Sequence, residues 1–561
     1  MASDVSRWCD RHPSLLFALL SAWYVVLVWK PAARPLWFDE LTTFYIARQP
    51  TVARMMEALR SVDLNPPLNY FLTRWSIALP GTAPCAARLP ALIAFWGGSA
   101  AIFALLRRRA SALVAATGVL LFWSSPYFSY AAEARPYGLM LGLSAILLWA
   151  WDPPANGRRN MQLMWVAIVG GLLLLSHLFG VLSLVAVWIG EAVRSYRRRR
   201  VDWPMVAALL FPLIATLTYG PMFRTLHGAV FSPEARVTWG KLGFLYYAVF
   251  RWMWRPLIVV AVFALLALRR RRRVRLAQHA VQVASFVQGS PDQNVYSRYA
   301  PEMSAVLAAL FLVPVGLTML FLWSHGAFYD RYGMAITIPI VLVAPLLVQW
   351  WMRADVRVAL SAFCLIALLL LLSTTLRNPV VQAANAVMPA RAATKFTGIL
   401  MTSPHGPFRP WWNKLPVPAG LLRERDQAPL LTSLDNFHPE LPLVAASELT
   451  FVEMDHRESA GLTDRLFYLY DRNAEMTLAH RPVTDSLMML KGFFPFRGRL
   501  ASYGEFVDEQ RRFLVLGSYE HSGDWLLRQA EADGASLQII GRYEGYADSD
   551  LYLLTYPVSR K

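Results

Sequence analysis

Hydrophobic residues along the first two thirds of the chain fall in long, nearly unbroken runs, with neither the 3.6-residue period of an amphipathic helix nor the alternation of a half-buried strand. A helix needs about 20 apolar residues to cross the ~30 Å hydrocarbon layer of a bilayer, fewer when flanking side chains snorkel. Eleven runs approach that length: 14–29, 88–106, 111–127, 136–151, 162–176, 178–193, 204–219, 252–268, 301–323, 332–351 and 356–375. The pattern predicts a polytopic α-helical membrane protein with about 11 transmembrane helices. The first run follows Arg7 and Arg11 as a signal peptide would, but no small-x-small cleavage site comes after it, so it is expected to stay as an uncleaved helix.

Beyond residue 376 the pattern changes to short β-type runs at 441–446, 465–470, 512–518, 536–543 and 551–556, with "WLLRQAEADG" between two of them as a helix closed by Gly534. Alternating strand and helix predicts a soluble α/β domain. The expected division is therefore a transmembrane domain, 1–376, with an amphipathic first outer loop at 30–87, and an α/β domain at 377–561.

Charge gives this arrangement a direction. The formal net charge is +18, yet residues 377–561 carry 20 Lys and Arg against 22 Asp and Glu, while 1–376 carry 35 against 15. Much of the surplus sits in Arg runs at 107–109, 197–200 and 269–273, each at the end of an apolar run, where it holds a loop in the cytoplasm and does not form a nucleic-acid surface. Eleven crossings from a cytoplasmic N-terminus put every Arg run inside and the C-terminal domain outside the cytoplasmic (inner) membrane. The three cysteines are odd in number and far apart, so no disulfide framework or zinc site is expected. Walker, H-E-x-x-H and G-x-S-x-G patterns are also missing from the sequence.

The same topology gathers polar residues at the outer ends of the spans. "PLWFDELTTFY" places Asp39 and Glu40 in the first outer loop. The bland account of Asp39 is an N-cap for a helix starting at Leu41, with Glu40 in its first turn. "ELTTFYIARQPTVARMMEALR" and "PPLNYFLTRWSIAL" read as helices lying on the outer leaflet, the second opened by Asn65 as cap and Pro66 at its first position, and carrying Asn69 and Tyr70. Arg88 starts the second span, and Glu133, Arg135 and Tyr137 start the fourth. His177 lies in the turn between the fifth and sixth, and Asp330, Arg331 and Tyr332 start the tenth. Arginines can snorkel and tyrosines can line an interfacial belt, but arginine beside a span on the outer side runs against positive-inside bias. Ionisable groups meeting at one face mark a functional site.

Arginine offers a planar fork that fits phosphate oxygens, and a carboxylate can take a proton from a hydroxyl nucleophile. A lipid-linked phosphate is a good leaving group, so sugar transfer from it needs charge stabilisation on the phosphate more than a general acid. In order and topology, "WFDE", "NPPLNYFLTRWSIALPG", "AARLPAL", "YAAEARPYGLMLGLSAILLWA" and "DRYGMAITIPIVLV" resemble the bacterial glycosyltransferase family 39-like membrane proteins of the GT-C superfamily, relatives of the protein O-mannosyltransferases and the lipid A aminoarabinose transferase. The resemblance covers roughly the first 350 residues. It implies a polyprenyl-phosphate-linked sugar donor, a hydroxyl acceptor on an envelope glycan, lipid or protein, and an outer-face active site. Asp39 and Glu40 match the family's first-loop acidic pair, Arg88 an arginine after that loop, Glu133, Arg135 and Tyr137 its E-x-R-x-Y pattern, and Arg331 and Tyr332 its late Arg-Tyr pair. Catalysis is thus expected from Asp39 and Glu40, phosphate binding from Arg88, Arg135 and Arg331, and a substrate groove from the remaining polar and aromatic residues. Some superfamily relatives use a divalent metal, but two adjacent carboxylates make a poor cage, and no cofactor is expected. The competing class is a transporter or flippase of lipid-linked sugars, which would show repeated halves and mid-membrane polar groups.

Overall fold

The computed structural model describes residues 2–63, 65–152, 158–220, 238–282, 299–324, 330–352, 356–374, 417–431, 433–435, 437–480, 482–521, 524–543, 546 and 549–557. The expected boundary at 376/377 and the side chain of Asp330 lie outside the described residues.

In chain order the helices are α1 (Ala2–Arg11), α2 (Pro13–Ala33), α3 (Phe38–Ala47), α4 (Val52–Val62), α5 (Leu68–Ser76), α6 (Ala83–Arg107), α7 (Ala112–Trp123), α8 (Pro136–Trp151), α9 (Arg159–Ser176), α10 (Gly180–Arg198), α11 (Trp203–Leu210), α12 (Trp239–Gln282), α13 (Pro301–Ser324), α14 (Thr337–Met352) and α15 (Val356–Thr374). Three 3-10 segments join them, Pro126–Ala132, Phe211–Tyr219 and Asp330–Ile336. The chain divides into two compact units. One comprises Met1–Arg34, Asn65–Pro221 and Val237–Gly406; the other comprises Pro35–Leu64, Met222–Arg236 and Pro407–Lys561.

Each of the eleven apolar runs is helical over most of its described length. Among the described residues four helices are long and apolar enough to cross a membrane: Pro13–Ala33, Ala83–Arg107, Arg159–Ser176 and Pro301–Leu322. A fifth is reached if Ala112–Trp123 and Pro126–Ala132, bent by 81°, form one broken span. Shorter apolar helices cover further runs, among them Pro136–Trp151 and Ala359–Leu371, and two of the runs are interrupted. Pro126 has no N–H to continue α7 and holds Ser125 extended (φ −71°, ψ 153°), which turns the chain after Trp123. The run at 204–219 passes from α11 into a 3-10 segment at Phe211-Pro212.

The first unit packs by close backbone approach. Gly98 of α6 and Gly142 of α8 face each other so tightly that a Cβ on Gly142 would lie 2.0 Å from the Ala94 carbonyl oxygen, and one on Gly98 would lie 2.7 Å from the Gly142 Cα. Trp123 Nε1 donates to Ser99 Oγ at 3.0 Å, giving a buried indole its partner between α7 and α6. At the far end of the bundle the arginines that end α6 and α10 pair with acids from other elements. Arg107 meets Asp10 of α1 at 3.1 Å, Arg109 meets Asp152 after α8 at 2.8 Å, and Arg197 meets Glu302 of α13 at 2.7 Å. Pro136 and Trp151 are therefore opposite ends of a 16-residue helix, about 24 Å long, with the Arg runs at the Trp151 end.

The second unit holds a seven-stranded sheet, β1 (Leu430–Leu431), β2 (Leu443–Ala445), β3 (Leu466–Tyr470), β4 (Arg499–Ser502), β5 (Arg512–Gly517), β6 (Ser536–Tyr543) and β7 (Ser549–Thr555), in the order β1-β6-β7-β5-β2-β3-β4. Strands β2 to β5 are parallel to their neighbours among themselves, and β7 runs antiparallel to both β5 and β6. All five expected strands are present. The two extra ones escape a pattern search, β1 because it has two residues and β4 because it is half-exposed and carries no apolar run. Helices α16 (Ala419–Gln427), α17 (Glu448–Arg457), α18 (Val483–Lys491), α19 (Tyr503–Glu509) and α20 (Trp525–Ala532) accompany the strands. Gly534 closes α20 in the left-handed region (φ +83°), with its N–H on Glu531 O and the next N–H, from Ala535, on Ala530 O.

Candidate active site

The first unit supplies the cationic and aromatic groups. After the turn at Pro126, Glu133 is extended (φ −127°, ψ 135°), and Arg135 is the N-cap residue of α8, also extended (φ −123°, ψ 157°), because Pro136 at the first helical position excludes the helical region for it. Gly138 lets this segment lie directly on α8: a Cβ there would meet the Tyr130 carbonyl oxygen at 2.2 Å. Glu133, Arg135 and Tyr137 are consequently all buried. The Arg135 guanidinium carbon lies 6.0 Å from the centre of the Tyr137 ring, and that of Arg331, from the 3-10 turn before α14, lies 5.3 Å from the same ring. Two guanidiniums thus share one aromatic ring.

His177 breaks the helix between α9 and α10 in an extended conformation. Its Nδ1 accepts the Phe179 N–H at 3.1 Å, which leaves Nε2 to carry the proton of the neutral ring. The imidazole lies 5.4 Å from Tyr137 and 6.5 Å from Tyr332, and Tyr332 lies 4.1 Å from Phe179. Four expected regions, 133–137, His177, Arg331 and Tyr332, are therefore brought together.

Other residues take different places. Arg88 is fully buried, and its Nη1 donates to the carbonyls of Ala32 at 2.8 Å and Arg34 at 2.5 Å, closing the C-terminal end of α2. Arg34, which is not among the expected site residues, meets Glu133 at 3.7 Å. Its signal was the one applied to the other arginines, a cation at the outer end of a span. Asn65 does not cap α5, which begins at Leu68: Pro67 keeps Pro66 out of the helical region and delays the helix by two residues. Asn69 and Tyr70 are buried on α5, and the Asn69 Nδ2 has no hydrogen-bond acceptor among the described residues.

The second unit holds Asp39 and Glu40. Helix α3 starts at Phe38, so Asp39 is its second residue and not the cap of a helix starting at Leu41. Trp37, at the cap position, has no side-chain oxygen. Glu40, fully buried, reaches back to accept the Trp37 N–H at 3.3 Å, and Glu453 of α17 accepts the Phe38 N–H at 3.0 Å. Burial holds the Glu453 carboxyl above its ordinary value, against the Phe38 N–H and Arg457, and the charges of Glu40 and Asp39 add to the rise. Helices α3 and α4 are separate, with Thr51 Oγ1 accepting the Arg54 N–H at 3.1 Å to start the second. Leu41, Thr43, Ile46 and Ala47 of α3 are all fully buried, which differs from the expected helix lying on a leaflet. Among the described residues no group of three or more His, Cys, Asp or Glu is placed to hold a metal ion.

No protein-family model and no curated protein matches the chain. Solved structures do. ArnT from Cupriavidus metallidurans in the apo state superposes with a TM-score of 0.50 at 14% identity, over 96% of this chain and 97% of that one. The same protein bound to undecaprenyl phosphate gives 0.48 at 14%, over 97% and 98%. The Archaeoglobus fulgidus oligosaccharyltransferase in complex with zinc and sulfate gives 0.37 at 11%, over 90% and 68%. The likeness to the first establishes the fold, which is that of ArnT.

Proposed function

We propose that the protein is an inverting glycosyltransferase that moves a sugar from a polyprenyl-phosphate donor to a hydroxyl acceptor at the outer face of the cytoplasmic membrane. The observation that carries this reading is the convergence of Arg135 and Arg331 on Tyr137, with Arg34 beside Glu133, at the end of α8 opposite the Arg runs. By the positive-inside rule the Arg-run end faces the cytoplasm, so this cluster faces outward. A cluster of planar forks suits a phosphate and has no use in a protein that only packs against lipid.

In this reading the acceptor hydroxyl gives its proton to the Asp39 carboxylate as its oxygen bonds to the anomeric carbon. The bond from that carbon to the phosphate oxygen breaks, and the electron pair leaves with the polyprenyl phosphate. Arg135 and Arg331 offset the charge that grows on the leaving phosphate. Arg34 joins them, while Arg88, occupied with two backbone carbonyls, acts as scaffold for Arg34. Tyr137, His177 and Tyr332 offer stacking faces to the sugar.

Purified full-length protein in detergent, given a labelled sugar on a polyprenyl phosphate and a hydroxyl acceptor, is expected to form a new glycosidic bond. A transporter or flippase would form none. Asp39→Asn is expected to abolish transfer while the protein stays folded, and full transfer by that variant removes the base assignment.

A further inference from the structure

Helix α3 carries the acidic pair, and while its own Glu40 accepts the Trp37 N–H at 3.3 Å, the Phe38 N–H has no acceptor from a cap side chain. "PLWFDE" has no Ser, Thr, Asn or Asp at the cap position, and Leu36 and Pro35 before it offer no side-chain acceptor. The acceptor comes instead from 415 positions downstream, where Glu453 Oε1 takes the Phe38 N–H at 3.0 Å.

The rest of α3 and the start of α4 are held by the neighbours of Glu453. His456, one turn further along α17, bonds through Nδ1 to the Tyr45 hydroxyl at 2.8 Å. Asp455 is buried and accepts the backbone N–H groups of Arg497 and Gly498 at 2.8 and 2.6 Å, fixing the loop after α18. That loop presents two carbonyls: Phe493 O accepts the Gln49 amide at 2.9 Å and Gly492 O accepts the Arg54 guanidinium at 2.8 Å. The Arg54 guanidinium also lies 4.4 Å over the Phe493 ring, and Tyr45 lies 4.8 Å from Phe494.

Four polar anchors with distinct targets do more than bury a helix. Three of them grip residues 45–54 and set where the helix lies. The fourth, Glu453, acts only at the first turn, where the N–H groups have no intrahelical partner and fraying begins. From this we infer that α17 is the positioning element for the acidic pair, and that Glu453 is the positioning residue holding the first turn of α3, and with it Asp39 and Glu40, in the geometry the reaction uses. This gives the C-terminal α/β domain a task in the reaction, and it rests on the assignment of Asp39 as general base.

The division of labour makes the inference testable in the full-length protein. Glu453→Ala removes the acceptor and leaves the three anchors of residues 45–54 in place; Glu453→Gln keeps an acceptor oxygen and drops the charge. Glu453→Ala is expected to lower kcat about tenfold or more with KM for the lipid donor unchanged, because misplacement of a reacting group acts on the chemical step. Glu453→Gln is expected to restore most of that loss. Wild-type kcat in Glu453→Ala, or equal losses in both variants, overturns the inference.

Amide hydrogen exchange, read by mass spectrometry, reports on position without any activity. In Glu453→Ala the exchange of the 37–41 amides is expected to rise while that of Leu443–Ala445 and Arg512–Gly517 stays as in the wild type. Unchanged exchange at 37–41, or a rise across all three segments, sinks the proposal. A selective rise at 37–41 alongside full transfer by Asp39→Asn keeps Glu453 as the holder of α3 and discards Asp39 as the base.

Discussion

Arginines look alike in sequence, and the structure separates them by what they lie against. Arg88 donates from Nη1 to the carbonyls of Ala32 and Arg34, which ties it to the end of α2. Arg135 and Arg331 lie against the face of Tyr137. The two kinds should fail differently. Arg88→Leu leaves the buried Ala32 carbonyl and the part-buried Arg34 carbonyl without that donor, at a cost of about 1–3 kcal/mol for the first, and is expected to lower the melting temperature in detergent more than it changes transfer per folded molecule. Arg331→Lys keeps the charge but loses the planar fork, and is expected to lower transfer about tenfold with the melting temperature within a degree or so of the wild type. An Arg331→Lys protein that transfers at the wild-type rate would remove Arg331 from the phosphate site. That these arginines fall near the ends of apolar runs could be read from the chain alone, because run length and charge are local signals. That Arg88 lies on carbonyls more than fifty residues away could not, since that is a tertiary contact.

At the scale of elements, what could be read followed the same rule. Strands β5 and β6 and the Gly534 stop were visible because pattern, length and punctuation agree locally. The starts of α3 and α5 were misplaced because each is decided by something a cap motif does not contain: a carboxylate from α17 in the first case, and the Pro66-Pro67 restriction in the second. The interruption of the third apolar run at Ser124-Ser125-Pro126 was hidden by the greasy residues on both sides, yet it is what folds the 126–132 segment back to present Glu133 and Arg135. That segment is supported from below by the Gly98–Gly142 crossing of α6 and α8. Gly142→Ala would place a methyl 2.0 Å from the Ala94 carbonyl oxygen, and because the obstacle is backbone, the helices must separate. Such overpacking costs about 1–3 kcal/mol. The variant is expected to melt earlier in detergent and to bind donor more weakly, because α8 carries Tyr137 on its first turn. The change at Gly171, where a Cβ meets nothing within 4 Å, serves as the control, and equal melting temperatures for Gly142→Ala and Gly171→Ala would show that the crossing is not tight in solution.

On the scale of the whole chain, the division into units cuts across the order of the sequence. The stretch Pro35–Leu64, expected as an outer loop of the membrane half, clusters with the C-terminal α/β residues, and it carries the acidic pair with it. Proton binding by that unit can therefore be followed through its own buried acids. Burial raises the carboxyls of Glu453, Glu475 and Asp550 above their ordinary values, opposed by the Phe38 N–H, by Thr484 and by Arg425 respectively. Each of the three binds its proton more tightly folded than unfolded. The stability this contributes is complete below the ordinary values of 3.8 to 4.5 and is lost as the pH rises through the raised folded-state values. His456 works in the opposite sense, since burial lowers its value and so favours the fold above 6.5, and a bare pH profile of the wild type would mix the two. Glu475→Gln isolates one term. Glu475 is fully buried, with its carboxylate on the Thr484 N–H and hydroxyl, and the amide replaces it without a titrating proton. Amide protection of the Leu466–Tyr470 and Arg512–Gly517 strands in the full-length protein, corrected for intrinsic exchange, is expected to fall as the pH rises above 4.5 less steeply in Glu475→Gln than in the wild type. Parallel slopes in the two proteins would mean that Glu475 is already ionised throughout that range, and that Thr484 outweighs its burial.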